Sequence, residues 1–487
     1  MKTLVNKLHE LLDRARVTNW LGVVLFLTFL LRIPSFFEPY YYGDEMIYMT
    51  LGNGMRDGLT LYSEVYDNKP PLLYLTAAIA GSLFWFKVIL AFWSMATIVI
   101  FWNLVQVLFK NTRLQKVTTV VFAFITTLPL LEGPIANAEL FMIGPSLLAF
   151  YLLLKTQTPP PKLIMCAGAL FGFAALFKIP AAFDAPIIVV YWIITKGFKA
   201  WREIFKNSIY LSIGFAAPIL LSFGWYFISG AFWEYIRAAF MQNVGYVSSW
   251  GVKIPMSIRA GSVALGTLIL FVFRNKLSKN FILLTLWTLF SLFAVVLSER
   301  PYPHYLIQAA APIAFLIGML VTHKTWEQAL VVLPLTLIAF VPFYYHYYHY
   351  PTGSYYSRFI NFAIGKTTKE EYFNSFSPYV TRNYEIAKFV KTSSRPDDKI
   401  FMWDSDASTV YALSKKLPPF KYVADYHVLD YWNTTNMAKE LSEKKPKFII
   451  LTSTRQLPEI NSLLSEWYLP IESIDNAQIW SRYENAQ

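Results

Sequence analysis

The chain has 487 residues, of which 55% are hydrophobic, 18% aromatic and only 15% charged, whereas soluble domains carry about 25% charged residues. Its net charge of +12 comes largely from basic residues in short connections between apolar stretches, the arrangement of a membrane protein's cytoplasmic loops, so no nucleic-acid partner is expected. The one cysteine, Cys166, excludes an internal disulfide and a thiolate metal centre, and its apolar setting reads as a small buried residue.

In chain order, Lys2, Lys7, Arg14 and Arg16 precede an apolar run from Trp20 to Leu31. No small-residue cleavage site follows, so this reads as a retained first span with a cytoplasmic N-terminus. Further spans are predicted near 88–109, 117–132, 135–154, 163–178, 182–195, 208–229, 255–273, 280–298, 304–322 and 328–343, each of roughly bilayer length. With the first, at 18–37, that makes about eleven. The apolar segment 71–86 is read as an interfacial helix, because counting it as a span would place Lys110, Arg113 and Lys116 outside. On this reading the inner loops hold seventeen Lys and Arg residues and the outer ones six. Acids show the opposite bias: Glu38, Asp44, Glu45, Asp67, Glu132, Glu139, Asp184 and Glu299 all fall outside. Acids barely influence insertion, so that face has another use for carboxylates.

After Phe343 the run Tyr344 to Tyr350 reads as an interfacial aromatic belt; His346 and His349 are its alternative reading as a metal site. From about 380 the pattern becomes that of a small α/β domain. Strands are expected at Lys399–Trp403 and Lys447–Leu451, and helices at Asn383–Lys391, Asn433–Glu443 and Leu457–Trp467. The predicted fold class is a membrane all-α helical bundle plus a small extracytoplasmic α/β C-terminal domain. The expected divisions are a transmembrane module over 1–345, whose outer loop 38–87 carries interfacial helices, a linker over 346–379 and the α/β domain over 380–487.

The chemistry-bearing residues cluster in the outer connections. Asp44 and Glu45 follow the first span, where an acid is costly to desolvate unless used; either suits a general base, and Asp44 with Glu139 suits a divalent cation. In Asp67-Asn68-Lys69-Pro70-Pro71 the prolines start a helix and fix Lys69 at its N-terminus, a site for an anion such as a lipid phosphate. Asn137 and Glu139 open another helix, and Lys178 ends one on the same side. Arg300 suits bidentate phosphate binding, and His304 suits proton shuttling or donor orientation. Asn243 and Tyr246 suit hydrogen bonds to a sugar. Capping, snorkelling and interfacial anchoring are the ordinary structural explanations for each of these residues.

In this order, the acidic pair, Lys69-Pro70-Pro71-Leu72, Asn137-Ala138-Glu139 and Arg300-Pro301-Tyr302-Pro303-His304-Tyr305 resemble the GT-C-type integral membrane glycosyltransferases. The likeness is to prokaryotic relatives of protein O-mannosyltransferases and aminoarabinose (lipid A) transferases. It spans roughly 18–345 and extends loosely into the tail. It implies a polyprenyl-phosphate sugar donor, an acceptor glycan, glycolipid or protein on the outer face, and inversion at the anomeric carbon. By position Asp44 matches the catalytic acid and Lys69 the lysine on the donor phosphate. Glu139 and Arg300 fall near a second acid and a late basic position, and Lys87 stands in for a cation often found after Lys69. The expected protein is thus a lipid-phosphate-sugar-dependent glycosyltransferase of a prokaryotic cell membrane. A lipid or lipid-linked-sugar flippase and a non-catalytic lipid-glycan-binding subunit are the competing classes.

Overall fold

The computed structural model describes residues 18–243, 254–322 and 325–483. Among them, seven helices are long and apolar enough to cross a membrane: Asn19–Phe37, Leu83–Leu108, Ile179–Lys196, Phe198–Ile228, Met256–Phe273, Pro303–Thr322 and Glu327–Tyr344. Three shorter apolar helices, Ala138–Leu154, Pro161–Ala175 and Lys279–Val295, accompany them, as does Thr112–Ile125. Each predicted span thus has its helix. The predicted span 117–132 differs most, because its helix begins at Thr112 and the chain turns after Ile125 into a short 3-10 segment at Pro129–Leu131.

The chain divides into two compact units. The first comprises Met1–Ser35, Lys87–Trp225 and Gln242–Thr352. Pro303–Thr322 is 78% buried and Met256–Phe273 only 11%, so the former is central and the latter peripheral. Peripheral helices expose Leu220, Leu221, Trp225 and Val272, apolar surface that a bilayer takes up and water would not. Inside, Phe101 stacks on Phe122 and Phe150 on Trp287, each pair with centroids 4.0 Å apart. Pro161–Ala175 and Trp201–Ile228 meet backbone to backbone, since a Cβ on Gly168 or Gly172 would collide with the Leu211 or Phe215 carbonyl. Small residues four apart permit this approach where lipid supplies no hydrophobic drive between helices. Cys166, on the same helix, is exposed and not buried as expected. In a bundle, the face turned away from neighbouring helices is as apolar as the packed one, so an apolar setting does not mark burial.

The second unit comprises Phe36–Phe86, Tyr226–Met241 and Gly353–Gln487. Its sheet holds β1 (Ile400–Trp403), β2 (Phe448–Thr452), β3 (Tyr468–Ile474) and β4 (Ala477–Arg482), in the order β1-β2-β4-β3. β1 and β2 are parallel and joined by a helical crossover, as parallel pairing requires, while β3 and β4 form an antiparallel hairpin beside β2. Phe401, Trp403, Ile449, Met437, Leu441 and Leu464 belong to its buried core. The expected strands and helices are present; the β3–β4 hairpin and the helices Ala407–Ser414 and Asp425–Tyr431 are additional.

The 36–86 segment adds two helices to this unit. Gly43–Arg56 begins on Asp44 and Glu45, acids at the end of a helix where the dipole favours them. Leu72–Ala80 follows the Pro70-Pro71 start and ends before Gly81, so the apolar run 71–86 divides into this short helix and the first turn of Leu83–Leu108. The two cross at Gly52, where a Cβ would stand 2.7 Å from the Ala78 nitrogen and 3.1 Å from the Ala77 Cβ. Thr50 Oγ1 donates to the Ser408 carbonyl at 3.0 Å, tying Gly43–Arg56 to Ala407–Ser414.

Candidate active site

The second unit brings Asp44 and Lys69 together. Lys69 Nζ lies 3.7 Å from Asp44 Oδ2 and 3.5 Å from Asp67 Oδ2, separations that attract without reaching hydrogen-bond length. One turn beyond Asp44, Tyr48 donates its hydroxyl to Asp44 Oδ2 at 2.9 Å, and Lys69 Nζ stands 5.1 Å from the Tyr48 ring centroid. The backbone of Lys69 is clamped from both sides: Tyr62 Oη donates to its carbonyl at 2.9 Å, and its N–H donates to Tyr74 Oη at 3.2 Å.

Asp67 is fully buried and organises this geometry. It accepts from Tyr74 Oη at 2.7 Å, from the Asn68 N–H at 2.7 Å and from His427 Nε2 at 3.3 Å. Burial alone would raise its pKa, but the Lys69 charge and the His427 and Tyr74 hydrogen bonds outweigh burial and hold the carboxyl well below the usual carboxylate range. Asp67 is therefore a fixed anion. The acidic pair is divided by exposure: the Asp44 side chain is 34% exposed and Glu45 is fully buried. Asp44 is thus the carboxylate that an incoming group reaches.

The first unit brings Asn137, Glu139, Lys178 and His304 together. Lys178 Nζ donates to Glu139 Oε1 and lies 3.9 Å from the Tyr305 ring centroid. His304 contacts the Glu132 carboxylate through Nδ1, and its Nε2 is 3.9 Å from Glu139. Asn137 Nδ2 donates to Glu132 Oε2 at 3.3 Å. Short 3-10 segments at Ile179–Phe183 and Pro303–Ala309, each with a proline in its first turn, deliver Lys178 and His304 to this point. With His304 protonated, the two acids and two bases sum to zero charge, the condition under which buried ions are tolerated.

Arg300 is half-buried on the connection before His304. Asn243 ends a described segment and is half-buried; Tyr246 lies outside the described residues. Lys87, buried, donates to the Pro134 carbonyl at 3.0 Å. The 344–350 run packs on the connection that carries Arg300, with the Tyr348 N–H donating to the Pro301 carbonyl at 2.9 Å and Tyr345 Oη to Glu299 at 3.3 Å. Among the described residues no group of three His, Cys, Asp or Glu is placed to hold a metal ion, His346 and His349 included, and Glu139 already answers Lys178.

The sequence marks Asp67 only as one of the outer acids, and Tyr48, Tyr74 and His427 are not among the residues it singles out. Asp67 precedes Lys69 by two positions, a local signal. His427 lies 360 positions from Asp67 and had none.

The architecture has solved counterparts. ArnT from Cupriavidus metallidurans bound to undecaprenyl phosphate superposes with a TM-score of 0.59 at 12% identity, over 96% of this chain and 99% of that one. Its apo structure gives 0.59 at 12%, over 96% and 98%. The chain has the GT-C fold. A GT-C oligosaccharyltransferase from Archaeoglobus fulgidus is similar at a TM-score of 0.47 and 12% identity, over 90% of this chain and 70% of that one. By sequence, residues 381–481 match the family model of the competence-induced protein Ccs4 C-terminal domain, and no curated protein matches the chain. At this identity the likeness to the two ArnT structures is one of fold.

Proposed function

We propose that the chain is a glycosyltransferase of a prokaryotic cell membrane, moving a sugar from a polyprenyl-phosphate donor to a glycan, glycolipid or protein acceptor at the extracytoplasmic face. The observation that carries this reading is the Asp44–Lys69–Asp67 arrangement, a reachable carboxylate 3.7 Å from a lysine ammonium that a second, buried carboxylate holds in place. The GT-C fold supports it, since one ArnT structure of that fold holds undecaprenyl phosphate. The seventeen-to-six bias of basic residues supports the orientation.

The proposed reaction is a single displacement with inversion. The acceptor's nucleophilic atom attacks the anomeric carbon and loses its proton to Asp44. The bond from that carbon to the phosphate oxygen breaks, and the polyprenyl phosphate leaves with the electron pair. Lys69, and by its own proposal Arg300, stabilise the charge that develops on the leaving phosphate. Preorganised donors of this kind are worth about 3–4 kcal/mol each, and general-base assistance about 10²–10⁴-fold. A phosphate that draws Lys69 away leaves Asp44 without that counter-ion, so the carboxylate takes up the proton when donor is in place. Asp67 keeps Lys69 from leaving the site altogether.

The test is turnover of polyprenyl-phosphate sugars by the purified protein with membrane extract as acceptor source, comparing wild type, Asp44→Asn and Lys69→Ala. Loss in both variants supports the reading, and equal turnover in all three removes it.

A further inference from the structure

The second unit contains a cleft of about 600 Å³ that the reaction above does not use, within the size range of small-molecule sites. One wall is the segment 59–65 and the other the segment 417–423. The two are joined directly: the Tyr66 N–H donates to the Lys421 carbonyl at 3.0 Å, and the Tyr66 and Tyr422 rings lie 5.0 Å apart. Tyr422 and Trp432 line the cleft as half-buried neighbours with centroids 5.4 Å apart, and Pro418 and Pro419 stiffen its rim.

Three lysines and two glutamates also line it; Glu64 is engaged by the Thr60 N–H, which donates to its Oε2 at 2.7 Å. Lys444 is answered by Glu440, at 2.5 Å. Lys421 instead lies beside two rings, its Nζ 5.4 Å from the Tyr66 centroid and 5.5 Å from that of Tyr422. Burial lowers its pKa from the ordinary lysine value, with Glu234 opposing the shift and Arg237 adding to it, so an arriving anion meets a cation already partly stripped of water. Lys399 is exposed at the same cleft. Flat half-buried rings suit the apolar face of a sugar ring, and the half-buried Lys421 ammonium with the exposed Lys399 suits a carboxylate or phosphate. A neutral glycan leaves the lysines unused, and a bare phosphate leaves the rings unused.

We propose that this cleft binds an anionic sugar residue, carboxylated or phosphorylated, with its ring on Tyr422 and Trp432 and its charge on Lys421 and Lys399. Resting on the glycosyltransferase reading, this makes the acceptor an acidic glycan. The cleft is continuous in chain with the reactive cluster, because Tyr66 precedes Asp67, and Tyr422 stands shortly before the Asp67 partner His427.

The test is calorimetric binding to the full chain in phosphatidylcholine nanodiscs. The probes are hyaluronan tetrasaccharide for the carboxylate source, glucose 1-phosphate for the phosphate source, and neutral chitotetraose and inorganic phosphate as controls. At least one anionic sugar should bind about tenfold more tightly than both controls, more weakly as salt rises, and about tenfold more weakly in Lys421→Gln. Lys399→Gln, at an exposed position, should weaken it in a protein of unchanged melting temperature. Equal binding of chitotetraose and the anionic sugars, or binding unaltered in both lysine variants, overturns the proposal. The two readings fail separately. If Asp44→Asn is inactive while the lysine variants bind and turn over like wild type, the cleft proposal falls alone. If Asp44→Asn turns over normally while the cleft discriminates as expected, the catalytic reading falls alone.

Discussion

Lys69 stands between two carboxylates of opposite character: Asp44, a third exposed at 3.7 Å, and Asp67, wholly buried at 3.5 Å. One acid is available for exchange and the other is permanent. A lysine held only by the exposed acid would follow any anion that bound it; one held only by the buried acid would leave the exposed carboxylate uncoupled from an anion's arrival.

Lys69→Ala should lower kcat about 10²–10³-fold, the cost of losing one preorganised charge at a leaving group. Lys69→Arg should recover little, because a planar guanidinium does not replace a compact ammonium fitted between two acids. Single-turnover rates with saturating donor check both.

Asp44→Asn should reduce the rate about 10²–10⁴-fold and shift the melting temperature little, since the side chain is partly exposed and Tyr48 keeps an acceptor. Glu45→Gln should show the opposite balance, with a measurable thermal shift, because its side chain is fully buried. Melting temperature and turnover, measured on the same two preparations, separate the two acids.

Asp67→Asn should destabilise the second unit by about 3–5 kcal/mol, the usual result of removing one partner from a buried ionic group. The folded-state pKa of Asp67 lies below its unfolded value. Its stabilisation is therefore fully present above the ordinary carboxylate pKa of about 4 and is lost as pH falls through the lower folded value. Wild type should lose stability relative to Asp67→Asn only below about pH 4, which paired thermal melts across pH 2–7 will show.

In the first unit, Lys178→Met should cost about 3–5 kcal/mol by stranding Glu139, and adding Glu139→Leu should restore much of it. Melting temperatures of the two single variants and the double variant in one detergent give the coupling directly. A purely peripheral pair would instead give additive shifts.

Much of this was readable beforehand because the signals are local. Apolar runs of bilayer length located the spans, alternating patterns located β1 and β2, and the Pro70-Pro71 start fixed where Lys69 would sit. The β3–β4 hairpin escaped because its burial does not alternate cleanly. His427 escaped because its partner is distant in sequence, and no periodicity reports a contact across 360 residues. The burial of Glu45 beside an exposed Asp44 depends on which way a helix turns its faces, and adjacent acids look alike until that rotation is known.

The crossing at Gly52 carries a consequence for the chemistry. Asp44 rides at the front of one helix and Lys69 sits just ahead of the other, so their spacing is gauged at a point that bears no charge, where a missing methyl lets two backbones touch. Gly52→Ala would act as a shim, widening the gap between the Asp44 carboxylate and the Lys69 ammonium while leaving every polar group intact.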